Sequence, residues 1–271
     1  MAVLIIVILA FMGVMFVSLL NTSIFTATND LQSTQALAIA NAGVEYEQMN
    51  LAQNIKWYRG PDPVYTTTLS LGSGSFTATT NVPATMLQRR LQTGDTIATV
   101  YSTNRFPQSG YLQIDDDIGS GAEFVQYSGI AGNTFTGLTR GVTIGTVAST
   151  AGIHPRTGNV YPVAKLQVAL ASNCASTASI TLTYHSKFLS AGTISILGEE
   201  INYTGVTVSG TNMILSGIQR CQNSTSSVAA NVGDPVTPLL AYGSYPINQA
   251  EVISTGTVGG AVRVIGKTIQ R

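Results

Sequence analysis

The stretch of sequence that decides the fold of this chain is Ala2–Leu20, AVLIIVILAFMGVMFVSLL. Ser18 is its one polar side chain, and the first charged residue after it is Asp30. At ~1.5 Å per residue, a helix of about 19 residues spans roughly 28 Å, close to the ~30 Å hydrocarbon core of a bilayer. The run lacks the basic flank and the small-residue cleavage site of a secretory signal peptide. We therefore expect a retained helix of membrane-spanning length.

Helix-forming residues continue from Leu31 to Arg59, and the first proline is Pro61. We expect one helix from near Met1 to about Lys56, roughly 80 Å long at the standard rise. Apolar residues spaced mostly three, four or seven apart predict a stripe along one side of it. The members of this stripe are Ile24, Leu31, Ala38, Ala42, Tyr46, Met49 and Ile55. The second half of the helix is therefore predicted to need a partner. It is either the stalk of a single-span anchor or a helix that moves from the bilayer into a protein bundle.

The composition favours a structural protein over an enzyme or a nucleic-acid binder. Charged residues make up 10% of the chain, against a usual ~25%. The formal net charge is zero, so no basic field attracts nucleic acid or anionic lipid. Beyond residue 60 the chain is rich in Thr, Ser, Gly, Val and Ile, in short glycine-bounded runs typical of strands and tight turns. The predicted fold class is α+β: a long N-terminal α-helix, apolar in its first half, followed by a mainly β, antiparallel, repeat-containing region.

The β-rich region contains a degenerate internal repeat. Each copy is predicted to be a strand, a turn, a strand ending in Tyr-Ser/Thr-Gly, a turn and a strand ending in Arg. The aligned segments are Phe106–Ile114 with Phe188–Ile196, Glu123–Gly129 with Glu200–Gly205 across a one-residue gap, and Phe135–Arg140 with Ile214–Arg220. This unit resembles a small β-module of bacterial surface and phage tail proteins, where it serves as a structural or spacer element.

The helix carries the segment TQALAIANAGVEYEQ, which contains the pattern A-x-x-x-A-x-A-G-x-E from Ala36 to Glu45. Together with the uncharged apolar start and the β-rich remainder, this segment resembles the type IV pilin superfamily. The resemblance implies that Met1 is the first residue after a prepilin peptidase has removed a short basic leader. Most type IV pilins carry a glutamate near the start of the mature helix. This chain has Ile5 and no acid before Asp30, a feature of some atypical or tip-located members.

The resemblance and the repeats together predict a domain plan. A filament-core or membrane helix occupies residues 1–58. Residues 59–98 and 241–271 form a pilin-like sheet that packs on this helix, and the last segment contains a hairpin around Gly259–Gly260. The first β-module occupies residues 99–163, and the second, with a linker, residues 164–240.

Cys174 and Cys221 have neither metal-ligand spacing nor a nearby pair of histidines. In an exported chain these two cysteines are expected to form a disulfide, because oxidising compartments form and keep such bonds. The alternative is two buried, small apolar side chains.

Polar residues that could carry chemistry are few. Asp115–Asp117 is interpreted as a solvated loop tip, with a Ca²⁺ site as the alternative. His154 and His185 are interpreted as isolated side chains without a nucleophile, and we expect no catalytic residue, no metal and no cofactor.

Two further pairs are interpreted as structural. Glu199 and Glu200 are adjacent on a predicted strand and point to opposite faces, so they do not form a paired-carboxylate site. Arg140 and Arg220 recur at the same position of the two repeats and are predicted to bind the backbone carbonyls of a turn.

The resulting expectation is a structural subunit of an extracellular type IV pilus-like filament, assembled from a pool in the inner membrane by pilus assembly machinery. Its main partner is a second copy of itself, joined through the helix. The alternatives are a minor or tip pilin that primes assembly or carries adhesion, and a membrane-anchored protein that binds a glycan or another surface ligand. The residues expected to make helix contacts in the filament are Val3, Leu4, Ile6, Val7, Leu9, Phe11, Val14, Phe16, Leu20, Ile24 and Leu31.

Overall fold

A computed structural model describes residues 2–53, 66–115, 122–156, 158–175, 178–239 and 249–270. In these residues one helix, α1 (Ala2–Gln53), precedes a series of strands. The class is α+β, as predicted. The strands are β1 Thr66–Leu71, β2 Gly74–Asn81, β3 Thr85–Met86, β4 Ile97–Thr99, β5 Gly110–Asp115, β6 Glu123–Tyr127, β7 Gly129–Ala131, β8 Thr134–Thr136, β9 Asn159–Lys165, β10 Ser179–Thr183, β11 Gly192–Ile196, β12 Glu199–Tyr203, β13 Gly205–Ser209, β14 Asn212–Ser216, β15 Pro235–Pro238, β16 Gln249–Val258 and β17 Ala261–Gln270.

The long helix predicted from the sequence is present as α1, which has 52 residues and is about 78 Å long at the standard rise. The predicted end near Lys56 lies outside the described residues. Four threonine hydroxyls in α1 each donate a hydrogen bond of 2.9 Å to the carbonyl oxygen four residues earlier. These hydroxyls are therefore satisfied within the helix and need no water, as a helix in lipid or in a protein bundle requires. They belong to Thr22, Thr26, Thr28 and Thr34.

The chain divides into two compact units. The first, called here the helix–sheet unit, comprises Met1–Met49, Thr66–Thr79 and Ile253–Gly266. The second, called here the module unit, contains the remaining residues 50–65, 80–252 and 267–271.

The helix–sheet unit packs α1 on a four-stranded sheet of order β1-β2-β16-β17. The hairpin predicted around Gly259–Gly260 joins β16 to β17. Two glycines allow the helix and the sheet to approach closely. A Cβ atom at Gly43 would overlap Ser254, and one at Gly256 would overlap the carbonyl oxygen of Ala36 and lie 2.6 Å from the nitrogen of Ala40.

The module unit contains the two repeats, and their strands follow one another in the same order. Strands β4 to β9 form the first module and strands β10 to β15 form the second. In each module the first, fourth and fifth strands make a small sheet, of order β4-β8-β7 in one and β10-β14-β13 in the other. Ahead of these strands, β3 also pairs with β9, and within the first module β4 pairs with β8. Strands of two or three residues carry no recognisable periodicity, so the sequence pattern did not reveal these two.

The two modules share a seven-stranded sheet in which β12, β11, β15, β9, β5 and β6 lie side by side, and the seventh strand, β3, pairs with β9. The last strand of each module pairs with the last strand of the other. In this antiparallel pair Pro235 lies opposite Lys165, and Val236 lies opposite Ala164. Asp234 reinforces the junction by accepting hydrogen bonds of 2.7 Å from both the N–H and the hydroxyl of Thr146. The duplication is therefore arranged about an approximate two-fold axis between β9 and β15.

Each module has its own hydrophobic core. Tyr127 and Tyr203 close these cores at equivalent places, and their hydroxyls donate to the carbonyl oxygens of Pro107 at 2.8 Å and Leu189 at 3.0 Å. The structure thus aligns β6 with β12 residue for residue. The predicted one-residue gap, which matched Glu123 to Glu200, is wrong.

Candidate functional site

The first half of α1 presents its apolar side chains to the outside. The predicted assembly residues whose side chains are described are between 46% and 70% exposed. These are Leu9, Phe11, Val14, Phe16, Leu20, Ile24 and Leu31. The side chains of Val3, Leu4, Ile6 and Val7 lie outside the described part of the chain, although their backbone is helical. Burying such residues against lipid or against other helices removes large apolar areas from water, at ~25 cal/mol per Å².

The second half of α1 has two faces. The face that packs on the sheet contains the buried residues Ala36, Ile39, Ala40, Val44 and Glu47. The predicted apolar stripe lies on the other side of the helix, because successive residues are ~100° apart around the axis. Its members Ile24, Leu31, Ala38 and Met49 are exposed. Two further members, Ala42 and Tyr46, are half-buried, and the ring of Tyr46 lies 5.9 Å from that of Phe76 in the sheet. Ile55 lies outside the described residues. The helix–sheet unit therefore leaves the stripe uncovered at Ile24, Leu31, Ala38 and Met49.

Among the described residues, α1 is the one helix that is long and apolar enough to cross a membrane. Its most apolar window has a mean hydropathy of 1.7, and no residue of that window is buried. By length and composition, a helix of this kind can serve as a membrane anchor or as a signal sequence.

A buried ion pair lies inside the first module. Arg140 binds Glu123 through two hydrogen bonds of 2.6 Å, and the side chains are 6% and 2% exposed. The guanidinium also donates to the carbonyl oxygens of Gln92 and Gly152, as predicted for a turn-binding arginine. The Glu123 carboxylate accepts the N–H groups of Gly141 and Gly152 at 3.0 Å. The pair thus closes the loop between residues 141 and 152.

The second module repeats this arrangement. Arg220 binds Glu199 at 2.8 and 2.6 Å and donates to the carbonyl oxygens of Ala171 and Val228. Glu199 accepts the N–H groups of Cys221 at 3.3 Å and of Val228 at 3.0 Å. Burial would raise the pKa of Glu199, but the hydrogen bonds from Arg220 and Val228 lower it. The neighbouring Glu200 binds elsewhere, to the Asn223 amide, so the two carboxylates do not act as a pair.

His154 adds a third member to the ion pair of the first module. Its Nε2 lies 2.7 Å from Oε2 of Glu123, and both side chains are 2% exposed. The interpretation of His154 as an isolated residue is therefore wrong, because strand pairing places it beside a carboxylate 31 positions away. Burial raises the pKa of Glu123, but hydrogen bonds from His154, Arg140 and Gly152 outweigh it and lower the pKa to about 2.

His185 and Lys187 form a second buried group in the module unit. The ring of His185 packs edge-on against Phe106 at 5.7 Å, and its Nδ1 accepts the N–H of Lys187 at 3.1 Å. Burial, with the charges of Lys187 and Arg105, lowers the pKa of His185 to about 3. Burial, with Arg105, lowers the pKa of Lys187 to about 7, and its Nζ donates to the carbonyl oxygen of Asn104 at 3.2 Å.

The predicted disulfide joins Cys174 to Cys221, whose Cα atoms are 5.6 Å apart. Cys221 follows Arg220 directly, so the disulfide holds the segment that also carries the buried ion pair. In the first module Gly141 follows Arg140 at the equivalent position. One module is thus reinforced by a covalent bond, and the other by His154.

The described residues contain no group of three or more His, Cys, Asp or Glu side chains that could hold a metal ion. Asp115 is bound by the side-chain amide of Gln113 at 3.1 and 3.2 Å. Asp116 and Asp117, the rest of the predicted loop tip, lie outside the described residues.

Comparison of the chain with protein-family models, with curated proteins and with solved structures finds no match. What the chain does must therefore be inferred from the uncovered surface of α1 and from the module unit.

Proposed function

We propose that this chain is a structural subunit of an extracellular, type IV pilus-like filament and polymerises through α1. The observation that carries the proposal is the apolar stripe of α1. It continues from Ile24 through Leu31 to Met49, beyond the membrane-length run, on a side of the helix that its own sheet leaves uncovered.

A simple anchor needs only ~20 apolar residues. An exposed stripe beyond that length serves no purpose in a stalk surrounded by water, and in a bundle it packs against neighbouring copies. Charge distribution supports the same proposal, because α1 carries no ionisable side chain before Asp30. Such a helix exchanges lipid for other helices without burying an unpaired charge.

The module unit fits the outer part of such a subunit. A buried Arg–Glu pair closes a loop in each module, and the disulfide further ties the second module. A filament exposed to shear and to proteases benefits from loops held in this way.

The test is a charge on the stripe outside the membrane-length run. Met49→Lys and Leu31→Lys should abolish filaments in electron micrographs of the producing cells, while the protein remains in the membrane fraction. Asn41→Lys is the matched control, because Asn41 is exposed on α1 but lies off the stripe. A simple anchor tolerates all three changes. Normal filament yield from both stripe variants would therefore refute assembly through this face.

A low-copy tip or priming subunit is the second candidate. It is favoured by Ile5 and by the absence of any acid before Asp30, because the resemblance associates this feature with atypical members. The number of copies per filament length, measured by quantitative mass spectrometry of sheared filaments, separates a major subunit from a tip subunit.

A further inference from the structure

A cleft of about 350 Å³ lies where the two modules meet. Strands β5 and β9 of the first module and β11 and β15 of the second contribute to its walls. Its volume falls within the ~300–1,000 Å³ typical of small-molecule sites. The cleft is on the face of the seven-stranded sheet that points away from the module cores. Gln113 lines the cleft, whereas its neighbours Leu112 and Ile114 point into the core.

The lining follows the approximate two-fold axis. In the first module Gln113 lies opposite Tyr161 on the neighbouring strand, and in the second module Ser195 lies opposite Thr237. All four side chains line the cleft. A single module contributes only one of these cross-strand pairs, so the cleft exists because the module is duplicated.

The two halves of the cleft differ in the chemistry of their side chains, whereas the neighbouring core positions are apolar in both modules. Core positions on these strands hold similar apolar residues, such as Leu112 in the first module and Ile194 in the second. The equivalent cleft positions hold a large aromatic or amide side chain in the first module and a small hydroxyl in the second. The cleft is therefore asymmetric: the first module contributes Tyr161 and Gln113, and the second contributes the hydroxyls of Ser195 and Thr237. Apolar residues, among them Phe124, Leu197 and Leu239, complete the lining.

We propose that this cleft binds a neutral saccharide. Tyr161 supplies an aromatic surface of the kind that packs against the C–H face of a sugar ring. Gln113 and Asp115 place an amide and a carboxylate side by side, and Ser195 and Thr237 add hydroxyls, so that donors and acceptors for sugar hydroxyls are present on both walls.

Other ligand classes fit the described lining less well. It contains no Lys, Arg or His, so it offers no positive charge to a phosphate or a sulfate. It contains one carboxylate, fewer than the several oxygen ligands that a divalent cation requires. An uncharged molecule rich in hydroxyls matches both the polarity and the size of the cleft. This inference does not depend on filament assembly.

The experiment uses the full chain in a zwitterionic detergent, because sugar-based detergents would compete for the site. The probes are a printed panel of neutral oligosaccharides of glucose, galactose, mannose and N-acetylglucosamine, followed by saturation-transfer NMR with each oligosaccharide that binds. We expect at least one member of the panel to bind. Tyr161→Ala and Gln113→Ala should weaken that binding at least tenfold. Tyr184→Ala and Gln108→Ala are the matched controls, since both residues are exposed and lie outside the cleft.

Ser195→Phe provides a second test that leaves the first module unchanged, because it fills the cleft from the opposite wall. We expect it to abolish binding without altering the melting temperature. The proposal is overturned if no member of the panel binds. It is also overturned if the control variants lose as much binding as the cleft variants, or if folded Ser195→Phe protein binds normally.

Discussion

Ala230 occupies in the second module the place that His154 occupies in the first. Each forms an isolated antiparallel bridge to a leucine, Leu170 in one module and Leu91 in the other. The same buried Arg–Glu pair is thus present in two settings, with a histidine on the carboxylate in one and a disulfide beside the arginine in the other. Each module therefore serves as an internal control for the other.

Glu123→Gln should destabilise the module unit by about 3–5 kcal/mol, because it leaves the Arg140 guanidinium buried without its counter-charge. Glu199→Gln should have a similar effect through Arg220. Chemical denaturation measured by circular dichroism tests both, with Glu45→Gln on the exposed surface of α1 as the control. A loss below about 1 kcal/mol in both variants would show that the pairs are not needed for stability.

The module unit should lose stability as the pH falls from 4.5 towards 2. Glu123 has a pKa of about 2 in the folded chain against an ordinary value of 4.5. The unfolded state therefore binds more protons across that interval, and the contribution is complete only above pH 4.5. His154→Ala removes one cause of the lowered pKa, so the folded-state pKa of Glu123 should rise. The loss should still begin near pH 4.5, but it should be smaller and be complete at a higher pH. Denaturation midpoints between pH 2 and pH 5 measure this; identical profiles for both proteins would contradict the assigned role of His154.

Lys187→Met should stabilise the chain most at neutral pH. The pKa of Lys187 is lowered to about 7 in the folded state, whereas an unfolded lysine holds its proton up to ~10.4. Between these two values the unfolded state binds the extra proton, so stability rises with pH. The methionine variant should lack this contribution to the slope. The test is to measure urea midpoints at several pH values above neutrality for the unchanged protein, for Lys187→Met and for Lys267→Met, in which the replaced lysine is exposed. Equal slopes in all three proteins would rule out a neutral buried amine.

Replacing Cys174 and Cys221 by alanine should lower the free energy of unfolding by about 4 kcal/mol, the loop-closure value for a separation of 47 residues. Reduction of the native protein should have a comparable effect. Protease digestion locates the damage, and we expect new cleavage between residues 221 and 228, while the loop of the first module between residues 141 and 152 stays protected. Cleavage of both loops at equal rates would show that the disulfide acts on the whole unit.

Gly256→Val should disrupt the helix–sheet unit, because the new side chain would overlap the backbone of α1 at Ala36 and Ala40. Moving the helix and the sheet apart to make room would cost about 1–3 kcal/mol or more, as is typical of overpacking. We expect faster proteolysis of α1 near residue 40, with the far-ultraviolet spectrum of the strands retained. Gly266→Val is the control, because a Cβ there meets no atom within 4 Å.

The sequence predicted the elements whose signals are local. The apolar run and the proline-free continuation were sufficient to predict the helix α1. The recurrence of the segments that end in Tyr127 and Tyr203 was sufficient to predict two repeated modules. It did not predict which side of α1 packs on the sheet. Alanine and glycine dominate the buried face, and small residues leave a weaker apolar signal than Leu31 or Met49 do.

Sequence reasoning also recovered the turn-binding role of Arg140 and Arg220 but missed their carboxylate partners. Glu123 and Glu199 lie 17 and 21 positions before their arginines, and only strand pairing brings the charges together. Because Glu199 and Glu200 are adjacent, the sequence pattern allowed Glu123 to be aligned with either of them. The contact of Asp234 with Thr146 and the pairing of β9 with β15 were also not predicted. Both depend on how the two modules meet, and no local sequence pattern carries that information.

The pairing of β9 with β15 also affects how the subunit behaves when it is crowded among copies of itself. In an isolated module the last strand would expose a row of unpaired N–H and C=O groups, a template for growth with any neighbouring chain. Here each such strand has a permanent neighbour on the same polypeptide, at an effective concentration that dilution does not change. These two strands are therefore not free sheet edges, and further chains cannot add to the sheet between them.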